Sequence, residues 1–278
     1  MSIKAQDIEF KKQKLREIEC FVLDMDGTIY LGNNLFPFTP EFLETVKKAG
    51  KGYRFFTNNS SRNAKMYADK LKKMGIEGVG DNDVGISNEV AIRYIERNYD
   101  KPRAFVLGTP ALIENFKARG IEIDEENPNI MVLGFDTTLA YDRLNRFCQF
   151  VRDGVDYIGV NCDLNCPLEG GKFMPDCGSM AKLIEASTGR FPEFFGKPSK
   201  YTLEFIKDIT GLSEEKIAFV GDRLYTDIAV TEGSAATSIF VLTGEGTLDE
   251  AINGPHKPTL IMESLEEITK LLKEIYNV

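Results

Sequence analysis

The chain has 278 residues with a formal net charge of −9, and 42% of its residues are hydrophobic. That apolar content excludes disorder as the dominant state, and the length suggests about two domains. The acidic balance argues against nucleic acid as the main partner, because a phosphate backbone calls for clustered Lys and Arg. It leaves room for small phosphorylated ligands.

No apolar run reaches the ~18 residues of a membrane span. The first residues lack an apolar stretch of signal-peptide length, so a cytoplasmic location and no membrane partner are the expectations. Five cysteines, Cys20, Cys148, Cys162, Cys166 and Cys177, are too scattered for a disulfide scaffold, and they read as reduced thiols. His256 is the single histidine, so a Ser-His-Asp triad or a multi-histidine metal centre would have to be built on it alone.

In chain order, Ile18–Leu23 reads as a buried strand ending at Asp24. A helix follows from Thr39 as N-cap and Pro40 as first helical residue, and Gly50 suits its end. Tyr53–Phe56 is the next strand, leading to Thr57-Asn58-Asn59, and a helix covers about Arg62–Met74. Strands are expected at Arg103–Leu107, Ile130–Gly134 and Tyr157–Val160, with helices at Ala111–Arg119, Tyr141–Val151 and Gly178–Ser187. Phe194–Phe195 is a short strand and Tyr201–Ile209 a helix. Ile217–Val220, Ser238–Leu242 and Thr259–Met262 complete the strands. A final helix starts at Ser264, with Glu267 completing a capping box. This alternation predicts an α/β fold with a largely parallel sheet, whose ligands sit at the carboxyl ends of strands.

Four segments place reactive side chains there. Asp24-Met25-Asp26-Gly27-Thr28 puts two carboxylates at i and i+2. Close like charges are costly unless they share a proton or a cation, and oxygen ligands suit Mg²⁺. Thr57-Asn58-Asn59 offers a hydroxyl, amides and backbone donors to an oxyanion. Gly196-Lys197-Pro198 supplies a cation between a strand and a helix. In Gly221-Asp222-Arg223-Leu224-Tyr225-Thr226-Asp227, Asp222 can complete a metal site with Asp24, and Asp227 can support it. Taken singly, each also fits a blander role: a solvated turn, an Asn-rich turn, a surface lysine, or helix N-caps.

Together and in this order, FVLDMDGTIY, YRFFTNNSS, FGKPSK and FVGDRLYTDI resemble the four motifs of the haloacid dehalogenase (HAD) superfamily of phosphatases, over about residues 17 to 245. The interval between Asp24 and Thr57 is too short for a separate domain, whereas that between Thr57 and Lys197 can hold one of roughly 100 residues. The layout is similar to subfamily IIA, with a large α/β cap between the second and third motifs. That group includes 4-nitrophenylphosphatase-like enzymes and phosphatases of nucleotides, sugar phosphates and pyridoxal phosphate. The resemblance implies a Rossmann-like core at 1–88 and 190–278 and a smaller α/β cap at 89–189.

It also implies roles. Asp24 is the nucleophile that becomes an aspartyl-phosphate, and Asp26 is the general acid and base. Mg²⁺ is held by Asp24, the backbone carbonyl of Asp26 and Asp222, with Asp227 behind them. Thr57, the N–H of Asn58 and Lys197 bind phosphoryl oxygens. Asn161–Leu168 resembles the specificity loop of the cap, with Asp163 and Cys166 as candidate substrate contacts. Asp163 fits equally as a turn residue capping its own backbone.

The expected activity is Mg-dependent hydrolysis of a small phosphorylated metabolite, such as a sugar phosphate or nucleoside monophosphate. The alternatives are a phosphotransferase of the same fold and a catalytically silent metal-binding regulator. Caps in this group often mediate dimers, so a homodimer is compatible with the resemblance. The presence of Asp26 argues against dehalogenation, because a halide leaving group needs no proton.

Overall fold

The computed structural model describes residues 7–168 and 172–278, with the side chains of 167 and 168 also outside the description. Contacts divide the chain into two compact units: Met1–Phe56, Ala68–Gly85 and Leu203–Val278 form one, and Thr57–Tyr67 and Ile86–Thr202 the other.

The first unit is built on a six-stranded sheet in the order Leu260–Met262, Thr237–Val241, Ile217–Gly221, Cys20–Leu23, Gly52–Thr57, Val84–Ile86. Cys20–Leu23 pairs in parallel with Ile217–Val220 on one side and Gly52–Phe55 on the other. All four of its residues are buried, as expected for a parallel strand covered on both faces. From this strand the chain moves outward in one direction through the N-terminal half and in the other through the C-terminal half. Its carboxyl end, where Asp24 stands, is therefore the point at which the strand order reverses, the place where open α/β sheets bind ligands.

Amphipathic helices cover the sheet. Thr39–Lys48 buries Phe42, Leu43 and Val46, spaced to lie on one face, and Leu265–Tyr276 buries Leu265, Ile268, Leu271 and Leu272. Two capping expectations are corrected. Phe38, not Thr39, is the N-cap of the first of these helices, and the Thr39 hydroxyl instead donates to the Ile29 carbonyl at 2.8 Å. That tertiary acceptor outcompetes the local cap. Ser264 does cap the last helix by accepting the Glu266 N–H, but Glu267 reaches back to the Glu263 N–H and also takes the Lys11 ammonium at 2.6 Å.

The second unit carries a five-stranded parallel sheet in the order Glu193–Phe194, Asp156–Gly159, Ile130–Leu133, Arg103–Leu107, Glu122–Ile123. Its helices are Ser87–Asn98, Pro110–Ala118, Tyr141–Arg152 and Cys177–Thr188. Phe105 packs edge-on against Phe147, and Phe147 against Tyr157, which ties the Tyr141–Arg152 helix to the sheet. An antiparallel hairpin, Asn165–Leu168 with Lys172–Pro175, pairs Cys166 with Met174. No disulfide links the five cysteines; Cys20, Cys148 and Cys177 are buried and Cys162 and Cys166 half-buried. Among the described residues, no helix is long and apolar enough to cross a membrane.

Candidate active site

The carboxylates of the first unit converge. One oxygen each from Asp24, Asp222 and Asp227 lie within 4.8 Å of one another, with Asp222 and Asp227 buried and Asp24 half-buried. Asp24 is fixed at the end of its strand by donating its N–H to the Val220 carbonyl at 2.8 Å. Asp222 follows the neighbouring strand Ile217–Gly221, so parallel pairing alone brings the two side by side.

The loop after Thr237–Val241 then closes on Asp222. Glu245 donates its N–H to Oδ2 at 2.7 Å, and Gly246 donates to the Asp222 carbonyl at 3.0 Å. On the other side, the Thr28 hydroxyl lies 3.5 Å from Asp222 Oδ1. Asp227 stands on a single irregular turn, Leu224–Ile228, and accepts the Arg223 N–H at 3.0 Å.

This donor set fits a hard divalent cation. Burial, and then the neighbouring Asp227 charge, push the Asp222 carboxyl up from its ordinary value. Buried carboxylates that repel one another in this way are stabilised by a positive charge among them, and all-oxygen ligation suits Mg²⁺. The surroundings are shaped for carboxylates close to the backbone: a Cβ on Gly27 would fall 2.5 Å from Asp222 Oδ2, and one on Gly244 would fall 1.9 Å from it.

Asp26 is in the same loop. Gly27, at φ +89°, allows the turn and donates its N–H to the Tyr30 carbonyl at 2.8 Å. Burial raises the Asp26 carboxyl above its ordinary value, opposed by the Gly32 N–H and by the Lys70 and Arg223 charges. The result is a carboxyl two residues from Asp24 with a greater tendency to hold a proton.

The second unit holds the other predicted residues. Thr57, Asn58 and Lys197 are buried, at 8%, 5% and 2% exposure. Asn58 donates its Nδ2 to the Lys197 carbonyl at 2.8 Å and accepts the Lys197 N–H on Oδ1 at 2.8 Å. Thr57 Oγ1 accepts the Asn59 N–H at 3.1 Å.

In the segment predicted as a specificity loop, Asp163 is 2% exposed and its Oδ2 accepts Asn161 Nδ2 at 3.1 Å. Asn161 also donates to Asp176 Oδ1 at 3.0 Å, and the Asp176 carboxylate caps the helix Cys177–Thr188. Cys166 is half-buried, with its thiol 3.5 Å from Asn59 Nδ2. Residues that sequence reasoning did not single out are Gly244 and Glu245, which hold Asp222 through close approach and a backbone donor. A backbone donor carries no side-chain signature; only the Gly244-Glu245-Gly246 spacing hinted at it.

A haloacid dehalogenase-like hydrolase family model matches residues 21–122, and a second HAD-hydrolase-like model matches 194–268. The solved structure of 4-nitrophenylphosphatase from Thermotoga maritima is similar at a TM-score of 0.88 and 44% identity, covering 92% of this chain and 98% of that one. The 5'-nucleotidase YutF of Bacillus subtilis is 30% identical over 247 residues, which are 89% of this chain and 96% of that protein. The structure of a glycerol phosphate phosphatase from Mycobacterium tuberculosis in complex with magnesium has a TM-score of 0.84 at 27% identity, covering 93% of this chain and 79% of that one.

Proposed function

This chain belongs to the haloacid dehalogenase-like hydrolases and is a phosphatase of the 4-nitrophenylphosphatase-like branch, and from that premise we propose that it is a Mg²⁺-dependent phosphomonoester hydrolase working through an aspartyl-phosphate. The observation that carries the reading is the convergence of Asp24, Asp222 and Asp227 within 4.8 Å, two residues from a carboxyl whose burial favours its protonated form.

Asp24, the Asp26 carbonyl and Asp222 would hold the cation, with Asp227 beside them. When bound, Mg²⁺ supplies positive charge that offsets the repulsion between Asp24 and an incoming phosphate. The Asp24 carboxylate oxygen attacks phosphorus, the bond to the ester oxygen breaks, and Asp26 gives that oxygen its proton. The second step reverses the proton's direction. Asp26, now ionised, takes a proton from water as the water oxygen attacks phosphorus. The Asp24–phosphorus bond breaks, releasing inorganic phosphate, with Asp26 protonated again. Thr57, the Asn58 N–H and Lys197 bind the transferring phosphoryl oxygens, by the role the family motif gives them. Their burial means that such donors act with little screening by water.

The substrate class is a small phosphorylated metabolite, a sugar phosphate, nucleoside monophosphate or similar. The names of a 5'-nucleotidase and a glycerol phosphate phosphatase among the relatives support that class. Residues 89–189 are proposed as the cap, with Cys166 and Asp163 bearing on specificity, Asp163 by holding its loop. A homodimer is part of the same reading.

The test is turnover of 4-nitrophenyl phosphate by purified protein with Mg²⁺, after EDTA, and after Mg²⁺ is restored. Activity that survives EDTA unchanged sinks the metal role, and no turnover in any condition sinks hydrolysis.

A further inference from the structure

We propose that the Asn58 side chain is a positioning residue for Lys197, clamping both polar groups of the Lys197 backbone and locking two phosphate-binding segments into one unit. The proposal rests on the reading that Lys197 binds the phosphoryl group.

Asn58 and Lys197 are 139 residues apart in sequence, and both contacts between them measure 2.8 Å. One primary amide donates Nδ2–H to the Lys197 carbonyl and accepts the Lys197 N–H on Oδ1. A carboxamide is suited to this because it carries one donor end and one acceptor end. A carboxylate would set an acceptor against the Lys197 carbonyl, and alanine would leave a buried N–H and a buried C=O short of a partner.

The clamp is held from behind. Ser87 Oγ donates to the Asn58 carbonyl at 2.8 Å, so the start of the Ser87–Asn98 helix fixes the Asn58 backbone. It is also walled in. A Cβ on Gly196 would fall 2.6 Å from Asn58 Oδ1, 2.8 Å from the Val160 carbonyl and 2.9 Å from Ser87 Cβ. The Cys162 thiol lies 3.5 Å from the same Lys197 carbonyl.

A lysine ammonium at the end of four methylenes is only as well placed as its backbone. Lys197 sits in a short connection between Glu193–Phe194 and the helix Lys200–Thr210. Strand pairing does not hold the peptide there, so the Asn58 amide supplies the fixed geometry. The same residue is proposed to offer its own N–H to the phosphoryl group, so the clamp sets donor and cation at a constant spacing.

The test is a double-mutant cycle on the full chain, read as orthovanadate affinity by calorimetry in excess Mg²⁺. Asn58→Ala retains the backbone N–H at 58. It should weaken vanadate binding by about 5- to 20-fold in the wild-type background, on the scale of lost buried hydrogen bonds, and by less than about 2-fold in a Lys197→Ala background. Asn58→Asp should weaken it similarly, and Ser87→Ala less. Folding of each variant is checked by circular dichroism, and Ser87→Ala serves if Asn58→Ala does not fold. An equal loss in both backgrounds overturns the clamp while leaving the role of Lys197 intact. Lys197→Ala with wild-type vanadate affinity overturns the phosphate-binding reading itself, and the clamp with it.

Discussion

Gly27 and Asp222 meet so closely that the first leaves room for the second: a Cβ at residue 27 would lie 2.5 Å from Asp222 Oδ2 and 2.8 Å from Oδ1. Gly27 also holds φ +89°, a conformation that residues with a Cβ resist. Gly27→Ala is therefore expected both to strain the loop between Asp24 and Thr28 and to displace a proposed metal ligand. We expect turnover to fall by at least ~10²-fold and the Mg²⁺ concentration for half-activation to rise by more than ~10-fold, since a ~1 Å misplacement can cost that much. Mg²⁺ titrations of the variant check this. A variant with a normal Mg²⁺ requirement would show that the loop tolerates the methyl group by moving elsewhere.

Replacing the proposed nucleophile is more severe. Asp24→Asn keeps the size of the side chain but removes its charge. Turnover should drop by at least ~10³-fold, about 4 kcal/mol in the barrier. The fold should be retained, because the change is isosteric and leaves the backbone bond from the Asp24 N–H to the Val220 carbonyl in place. Steady-state kinetics and a melting curve separate the two effects, and substantial activity in this variant is the outcome that removes Asp24 as nucleophile.

Much of this site was legible because parallel α/β sheets put reactive groups at strand ends, and strand ends can be read from short apolar runs. The sequence pattern locates Arg103–Leu107 to the residue; Asp24 and Asp222 directly follow strands whose cores it marks, and Thr57 ends a third. What escaped were features set by tertiary partners. Ser87–Asn98 follows Ile86, which offers no side-chain cap; Ile8–Glu17, by contrast, has a local cap in Asp7, whose carboxylate accepts the Glu9 N–H at 3.1 Å. Ser87 turned to the Asn58 carbonyl, just as Thr39 turned from capping to the Ile29 carbonyl. The Asn58–Lys197 clamp joins residues too far apart in sequence for any local pattern to reveal.

Glu89 gives a pH test independent of the chemistry. Burial pushes its carboxyl up to about 7, only partly opposed by the Ile86 backbone and the Arg119 charge. The folded protein thus binds a proton that the unfolded chain releases at lower pH. This group's stabilising effect is therefore full below its ordinary value of 4.5 and is lost as pH rises through about 7. Glu89→Gln, neutral throughout, should gain stability relative to wild type across that window, reaching on the order of 1–3 kcal/mol above it. Denaturant midpoints of both proteins between pH 4 and 8 (roughly the range in which such a carboxyl titrates) measure the difference. A constant offset at every pH would show that Glu89 is not the group responsible.

Cap and phosphate-site variants should differ in kind. Cys166 is half-buried beside Asn59, whereas Asp163 is held inside its own loop by Asn161. Cys166→Ala should change the ranking of a nucleotide, a sugar phosphate and 4-nitrophenyl phosphate by about 1–3 kcal/mol, the scale of one pocket contact. Asp163→Ala should do so with an added loss of thermal stability. Lys197→Ala should depress all three alike, because each presents the same phosphoryl group. Values of kcat/KM for the set decide it; a uniform loss in Cys166→Ala would take specificity away from that loop.

The last prediction separates the two aspartates of the first loop. Asp26 is raised by burial and so is suited to start the cycle protonated, yet the second step needs it as a base. Asp26→Asn can do neither. With an alkyl phosphate, whose leaving oxygen needs a proton, the first step should slow by about 10²–10⁴-fold, the usual contribution of a positioned acid. With 4-nitrophenyl phosphate, whose leaving group departs as a stable anion, the first step should proceed much closer to the wild-type rate. Hydrolysis of the intermediate should then lag for either substrate, because water lacks its base. The expected signature is a burst of 4-nitrophenol close to one equivalent per enzyme, followed by slow turnover, with phosphate on Asp24 detectable by mass spectrometry after acid quench. If Asp26→Asn hydrolyses alkyl phosphates as fast as wild type, another group carries the proton.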